Sequence, residues 1–236
     1  MNLPRVALLA SVSLAFVVAG CAPSGGHDHA GASGLAANSL LTATEPTLRI
    51  ELDHVADHVP ATAALALLRQ RATERCDKPG GVELLVDESF ARRPAVGETA
   101  PRPWSLAELQ TFETAHRRPG TSVYVLLVDG PGDPSLGATP LGWAYGSSSI
   151  VVFADALRDA AAISGGDPEG WVYVHELGHL LGLVGHGTAQ VTQHEDMIRR
   201  GHCKERGCVM RFSADARADD FCPRCKEDLV AAGGRR

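Results

Sequence analysis

The sequence predicts an α+β fold: a twisted mixed sheet with helices packed on it, one helix running through the core, and a small C-terminal subdomain stapled by cysteines. Three observations predict it. Apolar strand-like runs alternate with helix-like runs from Thr47 to Asp155. The stretch "DPEGWVYVHELGHLLGL", residues 167–183, has apolar Val172, Leu177, Leu180, Leu181 and Leu183 spread around its helical positions. Two short-spaced cysteine pairs, Cys203/Cys208 and Cys222/Cys225, lie near the C-terminus, where the chain is too short to build its own core. At 236 residues the chain suffices for one domain, or for two small subdomains sharing a cleft. With 44% hydrophobic and 21% charged residues the balance is that of a globular protein.

The N-terminus is expected to lie outside the fold. Arg5, an apolar run from Val6 to Val18, and small residues after it have the layout of an export signal over residues 1–20. Val18-Ala19-Gly20-Cys21 resembles the bacterial lipoprotein signal, which implies acylation of Cys21 and an exported, membrane-anchored lipoprotein on a periplasmic or extracellular face. With 22 basic and 28 acidic side chains the net charge is -6, and loss of Arg5 with the signal makes it -7. An acidic chain offers no phosphate-binding footprint, so nucleic acid is excluded as the expected partner. Residues 21–46, rich in Gly, Ala and Ser, read as a flexible tether, and His27-Asp28-His29 within it as solvated linker.

The folded part, 47–236, divides into an expected N-terminal subdomain over 47–184 and a C-terminal one over 185–236. "TLRIEL" alternates like a half-buried strand, and "PATAALALLRQRATERC" reads as a helix with Pro60 in its first turn. "GVELLVDE" is a strand, "WSLAELQTFETAHRR" a helix capped by Ser105, and "TSVYVLLVDG" an apolar strand ended by Gly130 and Pro131. "LGWAYG" and "SIVVFAD" follow a Gly/Pro-rich loop as two short strands, one of them an edge strand where an extended peptide could add itself. Cys76 stands alone and reads as a buried small apolar side chain.

Within residues 167–183, His175 and His179 are four apart, so their rings leave one helix face a turn apart and can meet on one zinc ion. Glu176 projects beside them, placed to take a proton from an activated water and pass it to a leaving amine. A chance HExxH is common. An apolar helix, however, would otherwise bury two histidines and a carboxylate without partners, at a cost of several kcal/mol. Gly182 lets the helix stop and the chain turn back.

These residues resemble the motif of the metzincin metallopeptidases, HExxHxxGxxH with a later methionine turn. "HCKERGCVM", His202 to Met210, and "CPRC", Cys222 to Cys225, are similar to the closing pattern of the archaemetzincins. That resemblance implies a zinc-dependent peptidase acting on a peptide or protein substrate, with Met210 beneath the metal and a second, structural zinc on Cys203, Cys208, Cys222 and Cys225. The chain departs from the pattern in three ways. Gly185 stands where the third histidine belongs, leaving His202, favoured for its place beside Cys203, with His194 and His186 as alternatives. The gap from Met210 to Cys222 is short, and export is unusual for the family. Export also leaves disulfides as an alternative to a zinc site for the four cysteines. Two rival readings are a catalytically silent metal-binding or scaffold lipoprotein, for which Glu176 would be superfluous, and a thiol-disulfide protein, for which the strand-then-CxxC-helix context is missing.

Overall fold

The computed structural model describes residues 34–93, 102–133, 140–213 and 218–235. Cys21, His27-Asp28-His29 and the signal-like segment lie outside the described residues. Among those described, no helix is long and apolar enough to cross a membrane.

The elements are α1 (Ala37–Leu41), β1 (Thr47–Val55), α2 (Thr62–Arg75), β2 (Gly81–Phe90), α3 (Leu106–His116), β3 (Val123–Val128), β4 (Gly142–Tyr145), β5 (Ser149–Phe153), α4 (Ala154–Ser164), α5 (Glu169–Leu180) and α6 (Pro223–Ala231). The five strands form one mixed sheet in the order β2-β1-β3-β5-β4. β1 pairs in parallel with β2 and β3, and β3 with β5, while β4 runs antiparallel to β5 at the sheet's edge. The α+β expectation and the edge-strand expectation therefore match this architecture.

Strand alternation divides β3 between two cores. Val123, Val125 and Leu127 pack on the face that carries α2, α5 and α6, whereas Tyr124, Leu126 and Val128 pack with Trp104 and Leu109 on the α3 face. Both faces are thus covered, which is why β3 and β5 are buried along their whole length and read as continuous apolar runs. The same cover corrects the reading of β1: it alternates only at its start and is buried from Ile50 to Val55, Glu51, Asp53 and His54 included. Asp53 accepts a hydrogen bond from the Tyr124 hydroxyl at 2.7 Å, and Glu51 accepts from the Arg118 amide, so these buried carboxylates are paired.

Local signals set the helix ends. Ser105 and Glu108 form a reciprocal capping box at the start of α3. Pro60 falls just before α2, whose N-cap is Ala61. The Ala61 amide is not left open, because it donates to Glu169 Oε1 at 3.0 Å, and the Tyr173 hydroxyl donates to the same oxygen at 2.9 Å. Glu169 thereby docks the first turn of α5 onto α2.

The expectation of an unpacked tether through Pro46 does not hold for residues 34–46. Ala37, Leu40 and Leu41 of α1 are buried in the main core. Lys78, itself buried, donates from Nζ to the carbonyls of Ser39, Thr42 and Glu45 at 2.6, 2.7 and 2.9 Å, closing the turn that follows α1. A composition rich in small residues hid three apolar side chains and a lysine clamp 39 residues away in sequence.

Candidate metal centre

α5 is buried along its whole length, so the charged and ring side chains on it are held away from bulk solvent. The helix ends in a Schellman turn: Leu183 N–H donates to the Gly178 carbonyl at 3.1 Å and Gly182 N–H to that of His179 at 3.0 Å. Gly182 sits at φ +80°, and a Cβ there would lie 2.7 Å from Thr188 Oγ1. The turn sends the chain through a loop that returns at Thr188, whose amide donates to the Gly182 carbonyl at 2.8 Å.

Three histidines meet on one side of α5. One ring nitrogen from each of His175, His179 and His202 falls within 4.8 Å of the others, and all three residues are buried. His175 Nδ1–H donates to the Val209 carbonyl at 2.7 Å, and His202 Nδ1–H to that of Arg200 at 3.0 Å, which leaves the Nε2 of each with a bare lone pair. His175 Nε2 lies 3.1 Å from His179 Nε2. Buried His179 Nδ1 and His202 Nε2 have no hydrogen-bond partner. Converging imidazole nitrogens suit a cation: nitrogens about 2.05 Å from a tetrahedral zinc ion stand about 3.4 Å apart. Burial, with His202 near by, pushes His175 down to about 3, burial pushes His202 down to about 4, and His179 falls well below its ordinary range for the same first reason. The three imidazoles are therefore neutral at ordinary pH, the form in which imidazole can bind a metal.

The other two histidines weighed from sequence stand elsewhere. His186 lies edge-on to His179 with ring centroids 4.5 Å apart, outside the three-histidine group. His194 is fully buried beside the cysteines, its Nε2 3.3 Å from Cys225 Sγ and 3.5 Å from Asp228 Oδ2.

Glu176 faces β4. The Ala144 amide, on the outward edge of that strand, donates to Glu176 Oε2 at 2.9 Å. Gly142 permits the approach, because a Cβ there would lie 2.6 Å from Val172 Cγ1 and 3.1 Å from Glu176 Cγ. Below α5, Met210 packs against Gly178: a Cβ at that glycine would lie 2.2 Å from Met210 Sδ and 2.9 Å from Phe221 Cε1. The edge strand was legible in the sequence. No residue type signals a main-chain donor such as Ala144 or a main-chain acceptor such as Val209.

The four cysteines form a second buried group with all Sγ atoms within 4.8 Å. Cys203 to Cys222 and Cys208 to Cys225 are each 3.7 Å apart, and all four are free thiols, so the arrangement is not the disulfide alternative. Sulfurs about 2.3 Å from a shared tetrahedral zinc ion stand about 3.8 Å apart, which these distances fit. Hydrogen bonding from Cys203 holds Cys208 and Cys222 low, while Cys203 and Cys225 are pushed up as the sulfurs that keep protons. Cys76, away from this group, is buried, and burial pushes its thiol up to about 12.

Comparison with known proteins agrees with this architecture. The fold is archaemetzincin-like. The crystal structure of archaemetzincin from Methanopyrus kandleri matches with a TM-score of 0.53 and 20% identity, over 81% of this chain and 98% of that one. Metalloproteinase-II from Bacteroides fragilis matches with a TM-score of 0.44 and 14% identity, over 81% of this chain and 54% of that one. No family model matches the sequence. No curated protein matches it.

Proposed function

We propose that the chain is a zinc-dependent peptidase of archaemetzincin type. The observation that carries the reading is the convergence of ring nitrogens from three buried, neutral histidines beside a buried carboxylate at the foot of an edge strand. In this reading His175, His179 and His202 hold the catalytic zinc, and Cys203, Cys208, Cys222 and Cys225 hold a second, structural one. A zinc ion so held supplies Lewis acidity toward a peptide carbonyl and lowers the pKa of a water toward ~7.

The chain's own groups do the rest. Ala144 N–H pins Glu176 Oε2 and so aims the remaining oxygen into the site, where it accepts a proton from the attacking water and returns it to the leaving amine. The carbonyls of Val209 and Arg200 fix the tautomers of His175 and His202, so that a lone pair and not an N–H faces the centre. Met210 fills the space under the helix against Gly178. An extended peptide laid along β4 would pair with the strand's outward main-chain groups. Residues 1–21 point to export and lipid anchoring at Cys21, and the mature domain then works on proteins outside the cytoplasm.

The test uses the mature chain, a mixed peptide library and zinc analysis. Wild type should cut peptides. Glu176→Gln should keep its zinc and lose roughly 10²- to 10⁴-fold in rate, and His202→Ala should lose one zinc equivalent that His186→Ala retains. Zinc binding without cleavage of any peptide by wild type would refute the peptidase reading in favour of a metal-binding scaffold.

A further inference from the structure

Two of the four cysteines are joined in sequence to groups that build the histidine site. Cys203 follows His202. Its strand is paired by a single antiparallel bridge with Glu195, held by Asp196 N–H on the His202 carbonyl at 2.7 Å and Lys204 N–H on that of His194 at 2.9 Å. Neighbours on an extended strand point to opposite faces, so one short strand gives His202 to the histidine group and Cys203 to the sulfur group. Cys208 precedes Val209, whose carbonyl orients His175, and Met210, which supports Gly178. The Cys203 amide donates to the Met210 carbonyl at 2.7 Å, tying the two ends of this segment together.

Core burial of Val209 and Met210 and the Lys204 Nζ bond to the Gln193 carbonyl at 3.1 Å hold the segment as well, but regular secondary structure does not. Between His202 and Phe212 the described chain has no helix and no ladder beyond that one bridge. The other two cysteines come from α6 and its N-cap, which meet the segment through the sulfurs and an Arg224–Glu205 ion pair at 3.3 Å, while Val209 N–H donates to the carbonyl of Asp220, just before the helix, at 2.9 Å.

We propose that the cysteine group sets the metal affinity of the histidine site: with metal on the four sulfurs, His202 and the Val209 carbonyl are fixed in their binding positions, and without it they are released. This rests on the zinc assignment made above. The metals would load in order, sulfur site first, and the coupling is reciprocal by linkage. Cys225 is the residue to change, since neither Arg224 nor Lys226 belongs to the histidine site.

The experiment measures zinc dissociation constants of the full mature chain by chelator competition. Sulfur-to-cobalt charge-transfer absorption of the cobalt form reports whether the cysteine site is filled. Cys225→Ser, with that absorption lost, should bind zinc at the histidine site at least about tenfold more weakly, the scale seen when groups supporting metal ligands are removed. Cys225→His, which keeps a zinc-competent donor set, should restore it. The same factor should separate the cysteine-site affinities of wild type and His179→Ala. A wild-type dissociation constant at the histidine site of Cys225→Ser would overturn the coupling. If that variant does not fold, an organomercurial that takes only the thiolates of wild type should release both zinc equivalents, and release of one with the other held at unchanged affinity would overturn it equally. Should His179→Ala bind as much zinc as wild type, the histidine-site reading itself falls, a result distinct from lost coupling.

Discussion

Gly178→Ala is the sharpest probe of how α5 is seated. In an exposed helix this change stabilises by about 1 kcal/mol, because alanine is the better helix former. Here the new Cβ meets Met210 Sδ at 2.2 Å and Phe221 Cε1 at 2.9 Å, where ordinary contact begins near 3.4 Å. Sulfur must retreat by about 1.2 Å and the ring by about 0.5 Å, and both residues are buried in a close-packed interior. Overpacking of this kind costs roughly 1–3 kcal/mol. Set against the gain in propensity, the net loss is about 1 kcal/mol or slightly more, a fall in melting temperature of roughly 2–5 °C for a domain of this size. The assay is thermal unfolding with zinc in excess, so that both metal groups are filled in every variant, in wild-type and Met210→Ala backgrounds. In the Met210→Ala background the penalty should vanish, giving a coupling energy on the order of 1–2 kcal/mol between the two positions. If Gly178→Ala raises the melting temperature of the wild type, or costs the same in both backgrounds, the close contact under the helix is refuted.

Two further outcomes follow from buried groups elsewhere. In the metal-free protein His175 and His202 have folded pKa values of about 3 and about 4, below the unfolded value near 6.5. The unfolded chain therefore binds more protons, and the stabilisation is fully present above pH 6.5 and lost as pH falls toward 4. The slope is roughly 1.4 kcal/mol per pH unit for each ring, and urea midpoints between pH 7 and 4.5 will show it. Lys78→Met leaves the carbonyls of Ser39, Thr42 and Glu45 without their donor, and should cost on the order of 2–4 kcal/mol. Hydrogen exchange over Ala37–Leu41 should accelerate in that variant before the rest of the domain is affected.

What could be read from sequence had a local physical signature. His175, Glu176 and His179 are set by helical period, Gly182 by the turn that ends the helix, Ser105 by its place at the helix start, and the presence of an edge strand by the two short runs after the Gly/Pro-rich loop, though not which of them it is. What was missed depends on partners distant along the chain. α1 packs through three apolar residues in a Gly/Ala/Ser-rich stretch, secured by a lysine no local pattern connects to it. The polar residues of β1 are buried because Tyr124, Thr121 and Arg118 arrive to pair with them. The choice among His186, His194 and His202 turns on how an eighteen-residue loop closes, and spacing alone carries no information on that. The structure sends His194 to the sulfurs and His202 to the other two histidines.

The opposite facing of His202 and Cys203 also bears on how such sites change over time. A residue inserted in the exposed stretch at 191–193 lengthens a loop at little cost, whereas one inserted between His202 and Cys203 would turn one of the two side chains away from its group. Geometry constrains the dipeptide tightly and the length of the exposed loop before it loosely. A pattern that counts three residues on from Gly182 meets Gly185 and passes this chain by. Searches anchored on the adjoining His-Cys pair, with the helix allowed to lie at any distance upstream, would gather the chains in which that loop differs most in length.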